Sequence, residues 1–302
     1  MRIVALSVSY VHVRRVGAEL ALHALLMDMK ARGHTVQVIT IKPVPRCHVD
    51  GMPVAQVSSM YKPAADVVIA NAGLGHTARQ TWRHTPVVLW AHNNQFPTLM
   101  DIKAAHQAGN VHVLANTHHM ADVLVSVLGV RAQVLHPPVT PGTPVSGGTA
   151  VTMVNCSPDK GAAVFWDLAG ANPGRDFIAV KGGYGAQDLR SLPNVTVVAH
   201  GPLEPVWART RILLLPSIHE SYAMVAVEAA TRGIPAVARD LPGVREALGW
   251  GAAYTVNDWG KALADVDRDW DEYAVDAAIH AVSIDTKAEL DAVAALLEAL
   301  SA

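Results

Sequence analysis

Short apolar runs alternate with longer amphipathic stretches along nearly the whole chain. Each run is continuous and rich in Val, Ile, Leu and Ala, which is typical of strands buried in a parallel sheet, and the stretches between the runs repeat apolar residues at helical spacing. The predicted strands cover residues 2–8, 36–41, 67–70, 87–91, 111–115 and 132–135, and then 150–154, 177–180, 195–198, 212–215 and 236–238. This alternation predicts an α/β protein with helices on both faces of parallel sheets.

Residues 137–148 break the alternation, because this stretch is rich in proline and glycine and poor in residues that favour helices or strands. The sequence therefore predicts a first domain over residues 1–138, a linker over 139–149 and a second domain over 150–284. Each domain is expected to be a Rossmann-like, doubly wound sheet. Residues 285–302 have the periodicity of an amphipathic helix, which we interpret first as core packing.

Composition indicates a soluble enzyme and argues against general DNA binding. The chain has 302 residues, 51% hydrophobic and 17% charged, and 24 basic side chains oppose 26 acidic ones, so the formal charge is −2. Neither a signal-like leader nor a bilayer-length apolar stretch is present, so we expect a cytoplasmic protein without integral membrane association. Only two cysteines occur, without metal-like spacing, which favours neither a disulfide framework nor a zinc site.

Two carboxylates follow the apolar run 212–215 in the pattern Glu220-x7-Glu228. The pattern predicts a buried strand, a loop that carries Glu220, and a helix that carries Glu228. The first turn of this helix offers free backbone N–H groups and the positive end of a helix dipole to a diphosphate. That turn is predicted at Tyr222, Ala223, Met224 and Val225. Acids on either side of an anion site favour a nucleotide sugar as ligand. The simpler interpretation is that Glu220 is a loop acid and Glu228 a solvated helix residue.

The same segment resembles the C-terminal signature of the family-4 retaining glycosyltransferases, which have the GT-B fold. Further segments match that family in order and spacing, and they cover residues 2–6, 16–19, 30–39, 87–93, 113–117, 157–161, 229–237 and 241–246. The resemblance implies two Rossmann-like domains that face each other across a cleft. It also implies that the C-terminal helix, residues 285–302, packs back on the first domain.

In the second domain the resemblance assigns roles to residues that lie at strand ends. It makes Lys160 the lysine that binds the donor diphosphate, a role that also suits an ammonium group placed directly after a strand and a Ser-Pro-Asp turn. Glu220 is implied to meet the transferred sugar, and Glu228 to accept hydrogen bonds from the ribose. His200, which follows strand 195–198, is implied to lie beside the base, although a surface histidine is an equally good interpretation.

One position departs from the family pattern, because Asn155 stands where members usually carry an arginine. Lys181, at the end of strand 177–180, is our candidate to supply the missing charge, and a solvated loop lysine is an equally good interpretation. In the first domain, Gly17 precedes the first long helix and would let the backbone approach the donor phosphate. His92 follows strand 87–91, and the resemblance implies that its imidazole hydrogen-bonds the transferred sugar or the acceptor.

The run 265–272 contains Asp-x-Asp, which binds a divalent ion in other glycosyltransferases. We interpret it as a solvated acidic run at a helix start, and we expect no essential metal and no cofactor besides the nucleotide-diphosphate sugar used as donor substrate. Ser217 and His219 stand near Glu220, but the Gly-x-Ser-x-Gly motif of a hydrolase is absent.

The resemblance, together with these residues, implies a retaining, metal-independent hexosyl- or pentosyltransferase that moves a sugar from a nucleotide-diphosphate sugar to an acceptor hydroxyl. The acceptor is left open between a small molecule, a glycan and a hydroxylated base in DNA, the last as in phage-type DNA glycosyltransferases. Two alternatives keep the nucleotide-sugar pocket: a sugar-nucleotide epimerase, and a noncatalytic binding module, which the departure at Asn155 favours.

Overall fold

The computed structural model describes residues 1–13, 15–57 and 62–302. The chain divides into two compact units, one made of Met1–Pro138 and Asp285–Ala302, and the other of Val139–Ile284. Residues 135–149, which pass from the first unit into the second, have no regular secondary structure. None of the helices in the described part of the chain is long and apolar enough to span a membrane.

The first unit contains an eight-stranded sheet in the order β3-β4-β2-β1-β5-β6-β7-β8. Its strands are β1 (Arg2–Ser7), β2 (Thr35–Thr40), β3 (Cys47–Val49), β4 (Met52–Gln56), β5 (Val67–Asn71), β6 (Val87–Ala91), β7 (Val111–Ala115) and β8 (Gln133–Val134). Neighbours pair in parallel except β3 and β4, which form an antiparallel hairpin. Its first four helices are α1 (Gly17–Ala31), α2 (Gly75–Thr81), α3 (Phe96–Gln107) and α4 (His118–Leu128).

Local sequence explains where these helices begin and end. The Thr117 hydroxyl accepts a hydrogen bond from the Met120 N–H at 3.0 Å, which satisfies one free donor at the start of α4. Gly129 ends the same helix at a φ of 70°, and Gly33 follows α1 at a φ of 89°. Both glycines adopt the left-handed conformation that costs little only without a side chain, which explains why the two helices end there.

The second unit contains a six-stranded parallel sheet in the order β11-β10-β9-β12-β13-β14. Its strands are β9 (Ala150–Val154), β10 (Phe177–Val180), β11 (Val195–Val198), β12 (Thr210–Leu215), β13 (Ala236–Arg239) and β14 (Ala252–Thr255). Its helices are α5 (Ala162–Ala171), α6 (Glu204–Trp207), α7 (Met224–Ala230), α8 (Pro242–Leu248), α9 (Trp259–Arg268) and α10 (Trp270–Ser283). Separate hydrophobic clusters cover the two faces, one around Phe165 and Trp166 of α5 and one around Ala226 and Ala230 of α7.

The C-terminal helix α11 (Thr286–Ser301) belongs to the first unit. Asp285 caps it by accepting a hydrogen bond from the Ala288 N–H at 2.9 Å. The helix is fixed to the unit by an ion pair between Arg32 Nη2 and Asp291 Oδ1 at 2.5 Å and by a contact of 2.7 Å between His136 Nδ1 and Glu289 Oε1. The chain therefore returns to its first unit after the second is complete.

Every strand predicted from the apolar runs is present, with bounds that differ by at most two residues. The prediction missed the hairpin β3–β4 and the edge strand β14. Strand β3 has three residues and β4 contains Pro53, which removes a backbone donor and masks a strand pattern. Strand β14 has the sequence Ala-Ala-Tyr-Thr and lacks the Val and Ile residues that mark the other four-residue strands.

Candidate active site

Polar and charged residues gather at the carboxyl edge of the second unit's sheet. Asn155 follows β9, Lys181 follows β10, His200 lies just beyond β11, Glu220 is in the loop after β12, and Arg239 is the last residue of β13. Parallel strands all end at the same edge, so these residues share one side of the sheet. Ligands of open α/β sheets bind beyond this edge, which makes it the place to look for a site.

Lys160 and Glu220 form an ion pair at this edge. Lys160 closes the 3₁₀ turn Pro158–Lys160 after β9, and β9 lies next to β12 in the sheet. The distance from Lys160 Nζ to Glu220 Oε1 is 2.5 Å, and the two side chains are 21% and 12% exposed. Ser217 Oγ donates to the same carboxylate oxygen at 3.0 Å. The structure thus brings a cation and a carboxylate that are 60 positions apart in sequence into one partly desolvated pair.

Close backbone packing brings the two loops together. Gly161 has a φ of 80°, and a Cβ at this position would overlap the Pro216 carbonyl oxygen. Ile218 N–H donates to the Asp159 carbonyl at 2.9 Å, which joins the turn after β9 to the loop after β12. Only glycine tolerates both the left-handed backbone and the close approach of the Pro216 carbonyl oxygen. Gly161 therefore allows Lys160 to lie beside Glu220.

Glu228 lies on α7 and is half-buried. Burial raises the pKa of its carboxyl group to about 7, with an opposing effect from the Arg232 guanidinium and a reinforcing one from Glu204. Arg232 Nη1 donates to the Glu228 backbone carbonyl at 2.7 Å, and Arg232 Nη2 lies 3.3 Å from Glu204 Oε1. Near neutral pH the carboxyl group therefore exists in both forms, of which only the protonated form can donate a hydrogen bond.

The helix after Glu220 begins later than the sequence predicted. Helix α7 starts at Met224, and Ala223 precedes it in the left-handed conformation at a φ of 66°. The Tyr222 side chain is 3% exposed and packs with Val227 and Ala247. The predicted first turn at residues 222–225 was therefore wrong by two residues, because the turn through Ala223 delays the helix. Met224 and Val225 supply its first N–H groups.

A side chain that the sequence analysis missed, Gln187, organises the loops after β9 and β10. Gln187 Oε1 accepts hydrogen bonds from Cys156 N–H at 3.0 Å and Gly182 N–H at 2.8 Å, and its Nε2 donates to Asn155 Oδ1 at 3.1 Å. Asn155 Oδ1 also accepts from Ser157 N–H at 3.3 Å. Asn155 is 9% exposed with a φ of 70°, so its side chain holds the loop from within. No sequence motif marks Gln187, since its partners include two backbone N–H groups and the side chain of Asn155.

Lys181 and His200 are exposed at the ends of β10 and β11. Strand β9 separates β10 from β12, and β11 is the edge strand beyond β10. Both residues thus lie at the predicted carboxyl ends of the strands. Their strands are on the opposite side of β9 from β12 and β13.

Arg239 was also missed, because it stands outside every motif used above. Its Nε donates to the Pro216 carbonyl at 3.2 Å, and its guanidinium carbon lies 5.5 Å from the ring centroid of Trp259. The side chain is half-buried. An arginine directly after a predicted strand is the only signal that could have drawn attention to it.

In the first unit, His92 follows β6 and Gly17 opens α1. The His92 ring is half-buried, with its centroid 4.6 Å from that of Trp90, and burial lowers its pKa to about 4. Its imidazole is therefore neutral at physiological pH. Gly17 is exposed, and the residue before it, Val16, makes no side-chain hydrogen bond to the start of α1.

The acidic run 265–272 differs from its predicted position at a helix start. Asp258 caps α9 by accepting a hydrogen bond from Lys261 N–H at 3.1 Å, so the helix starts before the run, and Asp265 and Asp267 lie in its last turn. Only Asp271 and Glu272 occupy a first helical turn, in α10. The prediction was wrong for the first half of the run because the true capping residue lies upstream. In the first half of the run, Asp267 pairs with Arg175, and Asp265 pairs with Lys261 and Arg268.

Comparison with known proteins identifies the architecture. Residues 167–268 match the family model described as glycosyl transferases group 1, whereas no curated protein sequence matches significantly. Sucrose-phosphate synthase from Thermosynechococcus elongatus has a similar structure at 15% identity, with a TM-score of 0.81 over 99% of each chain. HepE from Anabaena in complex with UDP-glucose matches at 19% identity with a TM-score of 0.79, over 99% of this chain and 100% of its own. The fold is GT-B.

A third similar structure is WaaG, a glycosyltransferase involved in lipopolysaccharide biosynthesis. It matches at 14% identity with a TM-score of 0.73, over 97% of this chain and 99% of its own. Identities this low establish the GT-B fold and no more. The segment matched by the family model runs from α5 into α9, and so contains Glu220 and Glu228 but not Lys160.

Proposed function

We propose that the protein is a retaining glycosyltransferase, which transfers a sugar from a nucleotide-diphosphate sugar to an acceptor hydroxyl. The observation that carries this proposal is the Lys160–Glu220 pair at the carboxyl edge of the second GT-B sheet, beside the start of α7. The match of residues 167–268 to group 1 glycosyl transferases supports it.

In the proposed reaction, the donor diphosphate lies against Lys160 and the first N–H groups of α7, while Glu220 accepts hydrogen bonds from the sugar. The bond from the anomeric carbon to the diphosphate oxygen breaks, and the acceptor oxygen bonds to the same face of that carbon. The acceptor proton passes to the departing phosphate oxygen. A preorganised cation stabilises the charge that grows on this oxygen, which is the largest contribution of the protein in this scheme.

The other predicted residues bind the remaining parts of the donor and the acceptor. Glu228 accepts hydrogen bonds from the ribose hydroxyls when its carboxyl group is ionised. His200 lies beside the base, and Lys181 is a candidate for a second phosphate contact. In the first unit, the neutral imidazole of His92 hydrogen-bonds the sugar or the acceptor, and the backbone at Gly17 approaches the phosphate. We propose no metal ion or cofactor in this reaction.

Thermal-shift titration with UDP-, GDP-, ADP- and TDP-sugars tests the donor site, because a ligand that binds only the folded state raises the melting temperature. UDP-glucose comes first, since a structure of HepE contains it. We expect one nucleotide class to stabilise the protein and Glu228→Ala to remove most of the effect. If no nucleotide sugar raises the melting temperature, the proposed function is wrong. Stabilisation without any turnover would instead identify a noncatalytic binding module.

A further inference from the structure

The charge of the proposed donor site is nearly balanced before any donor binds. Lys160 is paired with Glu220 at 2.5 Å, so the ammonium charge is largely compensated by the carboxylate. A nucleoside diphosphate brings several negative charges to the same edge of the sheet. Asn155 offers no cation, and its side-chain oxygen is occupied by Gln187 and Ser157. A further positive group near Lys160 is therefore needed to bind a diphosphate tightly.

Arg239 lies close to the Lys160 turn. It ends β13, which is the neighbour of β12, and its Nε donates to the Pro216 carbonyl at 3.2 Å. This is the carbonyl against which Gly161, the residue after Lys160, is packed. Arg239 also shares a sheet face with Val237, because alternate residues of a strand point to the same side. Val237 packs in the cluster that contains Phe165 of α5, the helix that follows Gly161.

The charge of Arg239 is uncompensated, in contrast to most arginines of the second unit. Arg175, Arg211, Arg232 and Arg245 each lie in an ion pair with a carboxylate. Across residues 1–13, 15–57 and 62–302, no ion pair includes Arg239, and its one hydrogen bond uses Nε. The two terminal nitrogens keep their N–H donors for a ligand. Trp259, at 5.5 Å from the guanidinium carbon, holds the group in place.

We propose that Arg239 binds the diphosphate of the donor together with Lys160, and so supplies the positive charge that Asn155 lacks. The inference rests on the proposed function, since it names a further group in the same donor site. The terminal nitrogens of a guanidinium match two phosphate oxygens in a planar, bidentate arrangement. Lys181 follows β10, which is next to β9, but its side chain is exposed, whereas the Arg239 side chain is half-buried and is held against the Pro216 carbonyl.

Isothermal titration tests this assignment with UDP, GDP, ADP and TDP, and with the nucleoside of whichever diphosphate binds. The variants are Arg239→Gln, Arg239→Lys and Lys181→Gln, with Arg245→Gln as the matched control because that arginine is paired with Asp240 at the same edge. We expect Arg239→Gln to weaken diphosphate binding about tenfold or more and to leave nucleoside binding unchanged. Arg239→Lys and Lys181→Gln should each lose less diphosphate affinity than Arg239→Gln. The control should bind the diphosphate as tightly as the wild type.

The possible failures are distinguishable. If the wild type binds a diphosphate and Arg239→Gln binds it equally well, or loses less than Lys181→Gln, the assignment of Arg239 is wrong and the donor site stands. If Arg239→Gln weakens the binding of the nucleoside as much as that of the diphosphate, the role of Arg239 is structural and the assignment is again wrong. If the wild type binds none of the four diphosphates, both this inference and the proposed function fail.

Discussion

At the scale of single residues, Glu228 has the most informative protonation equilibrium of the proposed site. Its pKa is raised to about 7 because burial disfavours the carboxylate, from an ordinary value of 4.5. A carboxyl group with a raised pKa in the folded state contributes stability while it is protonated. That contribution is complete below pH 4.5 and is lost as the pH rises through about 7.

Glu228→Gln should therefore remove a pH-dependent cost of folding. We expect the variant to match the wild type at about pH 4 and to be more stable at about pH 8, on the order of 1 to 3 kcal/mol, because the amide stays uncharged. Urea unfolding of both proteins across this range, without nucleotide, measures the difference. If the unfolding free energies of the two proteins instead change with pH in parallel, Glu228 is ionised throughout this range and its burial does not destabilise the folded state.

The sequence predicted that Lys160, Glu220 and Glu228 follow the carboxyl ends of strands in one sheet. This was possible because apolar runs mark the positions of the strands. It did not indicate Gln187 or Arg239. Gln187 acts through the backbone of Cys156 and Gly182 and the side chain of Asn155, and Arg239 acts through a carbonyl and an aromatic ring that only the tertiary fold brings near. Contacts of this kind leave no local pattern.

At the scale of elements, the turn between β9 and α5 decides whether Lys160 and Glu220 meet. Gly161→Ala should strain the backbone at a φ of 80° and push the turn away from Pro216. We expect a loss of about 1 to 3 kcal/mol in unfolding free energy. Nucleoside diphosphate binding should also be weaker than in the wild type.

Gly170→Ala is the matched control, because Gly170 lies within α5 and a Cβ there would meet nothing within 4 Å. This variant should be as stable as the wild type or more stable by about 0.5–1 kcal/mol, since alanine favours the helix. Urea unfolding and titration with the nucleotide distinguish the two variants. Equal stability of both would contradict the role given to the turn.

The start of α7 shows why element bounds were harder to predict than elements. The strand before it and Glu228 within it were both expected, yet the helix begins at Met224 because Ala223 adopts a left-handed backbone. Alanine rarely adopts this conformation, so the sequence gives no warning of it. The same is true of α9, where the capping residue Asp258 stands before the acidic run that drew attention.

At the scale of the whole molecule, two doubly wound domains were predictable since two series of alternating strands and helices flank a proline-rich break, and the family resemblance added the GT-B fold. The membership of α11 in the first unit could not be derived from periodicity, because an amphipathic pattern shows that a helix packs but not where. Its place depends on side chains far apart in sequence, such as the pair of Arg32 with Asp291. The resemblance to GT-B proteins supplied this expectation instead.

The central claim is that Lys160 stabilises a departing nucleoside diphosphate, and release of that diphosphate from nucleotide sugars tests it most directly. The four nucleotide sugars are incubated with wild type, Lys160→Ala and Lys261→Ala, the last being an exposed lysine paired with Asp265. Water serves as the acceptor. We expect the wild type and Lys261→Ala to release diphosphate equally, and Lys160→Ala to lose about 100-fold in kcat with a smaller loss in donor affinity. Full activity of Lys160→Ala, or no release by the wild type, would contradict the account.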